Sequence, residues 1–160
     1  MHRYQEQNSE LTLQEGLEEF YTINPNFKLL SDKEGKEGLF YQHDITHIVF
    51  GLNTKIEEEH LLDSWTLWGT KFKWKKIFGY FKHPAIKEIN KNVYKELGIL
   101  GIIKTLIIMV PLKLLVVFRA LIMKKKWNYH EITEEQLNSK ISDIRKEYNI
   151  NVYKLRNKLN

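Results

Sequence analysis

The longest apolar run of the chain, Leu97 to Met123, constrains the fold more than any other feature, because that much hydrocarbon must be hidden from water or given over to lipid. Uninterrupted, its length would suffice to cross a bilayer. Lys104, Lys113 and Arg119 interrupt it on different sides of a helical wheel, each costing roughly 2.5–3.5 kcal/mol at mid-membrane, and Pro111 withholds a backbone donor. The pattern predicts apolar helices over about 97–126 that meet at Pro111, and it favours a buried core, a wall for an apolar ligand or a membrane surface over a true span. Lys124, Lys125, Lys126 and Trp127 follow directly, the order expected where an apolar helix enters an interface and cations face anionic headgroups.

Helical spacing dominates elsewhere too, and no stretch alternates with period two. Leu137, Ile141, Ile144 and Tyr148 form one stripe behind the capping box Thr133-x-x-Gln136, which predicts a C-terminal helix over about 133–149. Leu13, Leu17, Phe20 and Tyr21 give a shorter helix that ends before a turn at Asn24-Pro25-Asn26. Between Phe40 and Trp68 the pattern reads as two helices, the first closed by Gly51 and the second capped by Thr54-x-x-Glu57. Its first helix is apolar on two sides, as central helices are, so the histidines it carries point inward. A chain of 160 residues that is 42% hydrophobic and 28% charged can bury one good core. The expectation is therefore all-α: a single-domain helical bundle over 1–160 with a metal-binding helical hairpin, about 39–69, at its centre.

Cysteine is absent, which excludes a disulfide framework, a thiolate metal site and a cysteine nucleophile. Residues 1–14 lack the apolar run and cleavage site of a secretory signal, so a cytoplasmic location is expected, peripheral at the inner face of the cell membrane. The net charge of +5 comes from clusters: Lys71, Lys73, Lys75 and Lys76, then Lys124 to Lys126, then Lys154, Arg156 and Lys158. Phe72 and Trp74 interleave with the first of these, a pattern that can stack bases while lysines hold phosphates. Because the clusters flank the most apolar part of the chain, a phospholipid surface suits them at least as well, and nucleic acid is the lesser reading.

His43 and His47 stand four residues apart, so both imidazoles leave one helix face about 6 Å from each other, a spacing at which two nitrogens can share one ion. Asp44 borders that face. Glu59 falls in the second turn of the returning helix, which an antiparallel hairpin sets opposite the end of the first. His43, Asp44, His47 and Glu59 are the candidate ligands of a divalent metal ion. Asp63 shares the Glu59 side of its helix and is the candidate to accept a hydrogen bond from a ligand imidazole, whereas His60 turns away. The plain alternative is that these are chance polar groups satisfied within a core.

The run from Gly38 to Leu52 with its His43-Asp44-x-x-His47, followed after eleven residues by Glu59, resembles the coenzyme Q biosynthesis protein 4 family, whose signature is His-Asp-x-x-His-x11-Glu. The far end, Ile144-Arg145-Lys146-Glu147-Tyr148-Asn149-Ile150, looks like that family's closing Leu-Arg-x-Glu-x-Gly-Ile, with Asn149 in place of Gly. The chain departs again at Glu58, where the family often has a small residue. The resemblance covers roughly Leu11 to Ile150. It implies an all-helical, peripherally membrane-attached protein that binds a divalent ion, zinc or in the alternative iron, together with prenylated aromatic lipid precursors of ubiquinone. It further implies a part in oxidative decarboxylation of the precursor ring and in organising other quinone-biosynthesis proteins. Homo-oligomers remain open. A prenyl tail needs a long apolar channel, which Leu97 to Met123 and the aromatic group Trp65, Trp68, Phe72 and Trp74 could line.

Two rivals stand beside this reading. A zinc hydrolase would use a similar helix motif, but its middle acid is a glutamate base, and Asp44 withdraws that carboxyl by about 1.5 Å. A non-enzymatic, metal-stabilised lipid-binding scaffold has the same fold with a closed coordination shell. An enzyme keeps a coordination position open.

Overall fold

A computed structural model of the protein describes residues 2–36, 38–71 and 83–153. The structure is all-helical, with seven α-helices and no β-strand among the described residues. They are α1 (Leu13–Ile23), α2 (Pro25–Glu34), α3 (Leu39–Phe50), α4 (Ile56–Gly69), α5 (Pro84–Leu121), α6 (Glu134–Asn138) and α7 (Ile141–Tyr148), preceded by a 3₁₀ turn at Arg3–Gln5.

Helix α3 is central, as its two-sided apolarity predicts. Phe40 to Gln42 and Asp44 to Phe50 are all buried, with Ile45, Ile48, Val49 and Phe50 fully so. The helix touches α1, α2, α4 and α7. Its end is set by Gly51, which takes the left-handed conformation (φ 68°, ψ 36°) and donates to the carbonyls of His47 and Ile48. The core around it joins Leu17 and Phe20 of α1, Leu61, Leu62 and Trp65 of α4, Met109, Val116 and Ala120 of α5, and Ile141 and Ile144 of α7. Each large apolar side chain so buried contributes about 1.5–3 kcal/mol.

Where the structure departs from the sequence pattern, local contacts explain it. Asn24-Pro25 is not a turn between helix and loop: Pro25 occupies the first position of α2, where its missing N–H costs nothing and its fixed φ suits the helix. The C-terminal helix is two helices, because Ser139 and Lys140 leave the helical path to pair with the start of α1, through Leu13 N–H to Ser139 O and Ile141 N–H to Leu11 O, both 2.9 Å. Thr133 does cap the first of them, exchanging hydrogen bonds with Gln136. Thr54 does not cap α4; its hydroxyl donates to Asn24 Oδ1 at 2.9 Å, and Lys55 is the N-cap.

The long helix α5 does not break at Pro111, which lies within a continuous helical stretch. It breaks at Gly98, whose φ of 62° and ψ of 173° belong to a region that only glycine enters at little cost. Two of the three charges that interrupt its apolar run turn toward protein. Arg119 donates to the carbonyls of Asn151 (3.0 Å) and Val152 (2.9 Å) and lies over the Tyr153 ring, while Lys113 acts electrostatically on His60 and Asp63 of α4. The apolar residues mostly turn the other way. Leu100 is 79% exposed, Ile107 65%, Leu114 64% and Phe118 60%, so this segment is a thin edge of the core carrying a broad outward apolar face. By length and composition it is one helix that could cross a membrane. Trp127 does not reach an interface behind it: it is fully buried and packs edge-on against Tyr148. The Lys73–Lys76 and Lys154–Lys158 clusters, with Phe72 and Trp74, lie outside the described residues.

Candidate metal centre

Helix α3 presents His43 and His47 on its α4 side, one turn apart, with ring centroids 4.8 Å from each other. Glu59 of α4 meets both. His47 Nε2 lies 3.3 Å from Glu59 Oε1, and His43 Nε2 lies 3.7 Å from Glu59 Oε2. Three ligand atoms, one from each residue, all fall within 4.8 Å of one another. In a tetrahedral site with bonds of about 2.1 Å, neighbouring ligand atoms stand about 3.4 Å apart. The carboxylate is thus already at coordinating distance from two imidazole nitrogens, and the group could hold a metal ion.

The bonding state of His47 argues the same way. The side chain is completely buried, stacked on Phe20 with centroids 5.0 Å apart, and neither ring nitrogen has a hydrogen-bond partner. Its 3.3 Å approach to Glu59 is an ion-pair distance without hydrogen-bond alignment. A buried imidazole with two unmet nitrogens costs free energy unless something outside the protein's own groups binds it. A cation does so.

Electrostatics fit a site that concentrates negative charge around two imidazoles. Burial would raise the Glu59 carboxyl, but His47 and then His43 outweigh it and hold it below the ordinary carboxylate value. Burial would lower His43, yet the Asp44 carboxylate beside it and the charges of Glu59 and Asp63 leave it raised. Asp63 is itself raised, by desolvation first although the residue as a whole is exposed, and His43 opposes the shift. Asp63 feels the charge of His43, but among the described residues it accepts no hydrogen bond from either imidazole, contrary to the expectation from its helical position. His60, half-buried, is lowered by desolvation and then by Lys113, and it is not one of the three converging residues.

Asp44, the fourth candidate ligand, lies behind His43 rather than beside Glu59. Its carboxylate is fully buried; Oδ2 accepts from the Tyr21 hydroxyl at 3.1 Å and from the Ser31 hydroxyl, and Oδ1 stands 3.8 Å from His43 Nδ1. Ser31 and Tyr21 were not legible as site residues. Ser31 sits on the helix that the Asn-Pro dipeptide concealed, and the one available signal for Tyr21 was a phenol on an apolar stripe, since a buried hydroxyl seeks a partner. A cavity of about 790 Å³, lined by Leu17, Tyr21, Ser31, Tyr41 and Leu137 among others, opens on this α1–α2 side and includes none of the three converging residues.

The far end of α3 is held by Arg145 of α7, which the resemblance placed in a terminal motif without a role. The guanidinium is fully buried and donates to the carbonyls of Val49 (2.9 Å), Tyr4 (2.8 Å), Ile48 (2.6 Å) and Glu6. Two of these acceptors lie in the last turn of α3, where a cation also meets the negative end of the helix dipole. The residue that follows α7, Asn149, adopts a left-handed conformation (φ 58°), which asparagine tolerates where glycine would be the usual choice. Comparison with protein-family models, with curated protein sequences and with solved structures finds no match to this chain.

Proposed function

We propose that the chain is a metal-binding protein of polyprenyl quinone biosynthesis, holding one divalent ion on His43, His47 and Glu59 and binding prenylated aromatic precursors of ubiquinone at a membrane surface. The observation that carries the metal part is the fully buried His47, with both nitrogens unmet and a carboxylate 3.3 Å away. Zinc suits two imidazoles and a carboxylate, and iron is the alternative. Three protein ligands leave a position free, which favours an enzyme supporting oxidative decarboxylation of the precursor ring over a closed structural site. In that position the ion would supply Lewis acidity to a ring carboxylate or phenolate.

The lipid part is supported by α5, which packs on α4, the helix that carries Glu59, and turns a broad apolar face outward. Two half-exposed or exposed apolar residues of α4, Leu67 and Trp68, extend that surface. Lys113, whose charge acts on His60 and Asp63, offers a cation for a precursor's carboxylate. A scaffold for other quinone-biosynthesis enzymes is the second reading, favoured by the breadth of the exposed apolar face of α5. Elemental analysis of the purified protein, with mass spectrometry of its organic extract, tests the proposal. One equivalent of metal and a prenyl lipid are expected; a metal-free, lipid-free protein overturns it.

A further inference from the structure

We propose that Asp44 is a positioning residue for His43 rather than a fourth ligand, and that Tyr21 and Ser31 lock it into that task. The inference rests on the metal reading above and deepens it. The His43 ring is flanked by two carboxylates on opposite nitrogens: Glu59 Oε2 is 3.7 Å from Nε2, and Asp44 Oδ1 is 3.8 Å from Nδ1. A neutral imidazole carries one N–H. With Asp44 on Nδ1 the proton belongs there, and the Nε2 lone pair is left facing Glu59, which His47 Nε2 also approaches.

Asp44 is built for this and poorly placed for coordination. Both hydroxyl donors, from α1 and α2, converge on Oδ2, which fixes the carboxylate plane and leaves Oδ1 as the one oxygen without a partner. That oxygen is the one nearest His43. Turning the carboxylate toward the metal would give up both hydroxyls inside a fully buried site. Tyr21 and Ser31 therefore act on the metal through two intervening residues without touching it.

Cobalt(II), whose visible absorption reports the ligand set, is the probe. Wild type is titrated against Asp44→Asn, Asp44→Ala and the pair Tyr21→Phe with Ser31→Ala, with circular dichroism as the check on folding. Asparagine can still accept from Nδ1–H, so Asp44→Asn is expected to bind one cobalt with the wild-type bands and about tenfold weaker, Asp44→Ala about 100-fold weaker with the same bands. The hydroxyl pair is expected to weaken binding severalfold, again without moving the bands. A shifted spectrum in a folded Asp44 variant makes Asp44 a ligand and overturns the inference, as does an Asp44→Ala affinity equal to wild type. Should the Asp44 variants fail to fold, the hydroxyl pair decides: unchanged affinity overturns the positioning role. A wild type that takes up no cobalt overturns the metal reading itself, a result distinct from all of these.

Discussion

Replacing Arg145 by Met should destabilise the fold by about 3 kcal/mol. The guanidinium serves four carbonyls, and they do not suffer equally when it leaves. Ile48 O retains Gly51 N–H at 3.2 Å and Glu6 O retains Ser9 N–H at 3.1 Å. Tyr4 O and Val49 O have no second donor among the described residues. Two buried carbonyls left unmet cost about 1–3 kcal/mol each. Against this stands relief of the buried cation, whose desolvation pushes the Arg145 pKa down to about 9 and which methionine replaces with apolar volume. The balance, about 3 kcal/mol, corresponds to a fall in Tm of about 6–12 °C for a domain of this size. Arg145→Lys should fall between, since an ammonium has three donors and no planar fork. Thermal unfolding followed at 222 nm in the presence of chelator, so that metal does not contribute, measures it. A Met variant that melts within 2 °C of wild type would refute the assignment of Arg145 as the anchor of α3.

Other outcomes follow from the same geometry. His47→Ala should abolish stoichiometric metal, while His60→Ala should keep it and Asp63→Ala should weaken it about tenfold; inductively coupled plasma analysis of the three variants decides, and metal retained without His47 removes the site. The raised His43 pKa has a definite sign. In the metal-free protein its contribution to stability is full below the unfolded value of about 6.5 and is lost as pH rises through the higher folded value. Metal requires the deprotonated ring, so chelator-competition affinity should climb with pH by up to tenfold per unit through that window and then level off. Glu59, held low, stays charged throughout, and a flat or falling profile contradicts the assignment. Leu114→Glu with Phe118→Glu should prevent co-sedimentation with anionic vesicles; equal pelleting of the double variant and wild type would remove α5 as the membrane face. The lysines behind α5 make a poorer test, because Lys125 bonds Glu147 and Lys126 donates to Ala120 O at 2.6 Å, so reversing them would disturb the fold.

The histidine-bearing helix α3 was legible because its signals are local. Imidazoles four apart, an apolar face on two sides and a glycine stop need no knowledge of the rest of the chain. What sequence reading missed was set by distant partners. Ser139 and Lys140 carry no helix breaker, and they depart from the helical path only because the backbone of Leu11 and Leu13 is there to pair with them. Pro111 is the stronger breaker on paper than Gly98, yet α5 continues through it and gives way at the glycine, whose backbone angles are costly for other residues. Asp44 illustrates the same limit at the site. Its spacing marks it as a neighbour of the histidines, but which way its carboxylate turns depends on two hydroxyls 13 and 23 residues away.

Arg145 reaches acceptors 96 and 97 residues upstream in α3 and 139 and 141 residues upstream in the N-terminal turn. During synthesis at about 5–20 residues per second, the chain has made Glu59 and must extend 86 residues further before this anchor exists, an interval of about 4–17 s. Throughout it, a nascent chain displays both imidazoles on a helix whose end lacks that anchor. Contacts of such separation also slow the final closure of the fold. On the proposed metal reading, a chain stopped short of Arg145 would carry every converging side chain without the bonds that fix the end of α3.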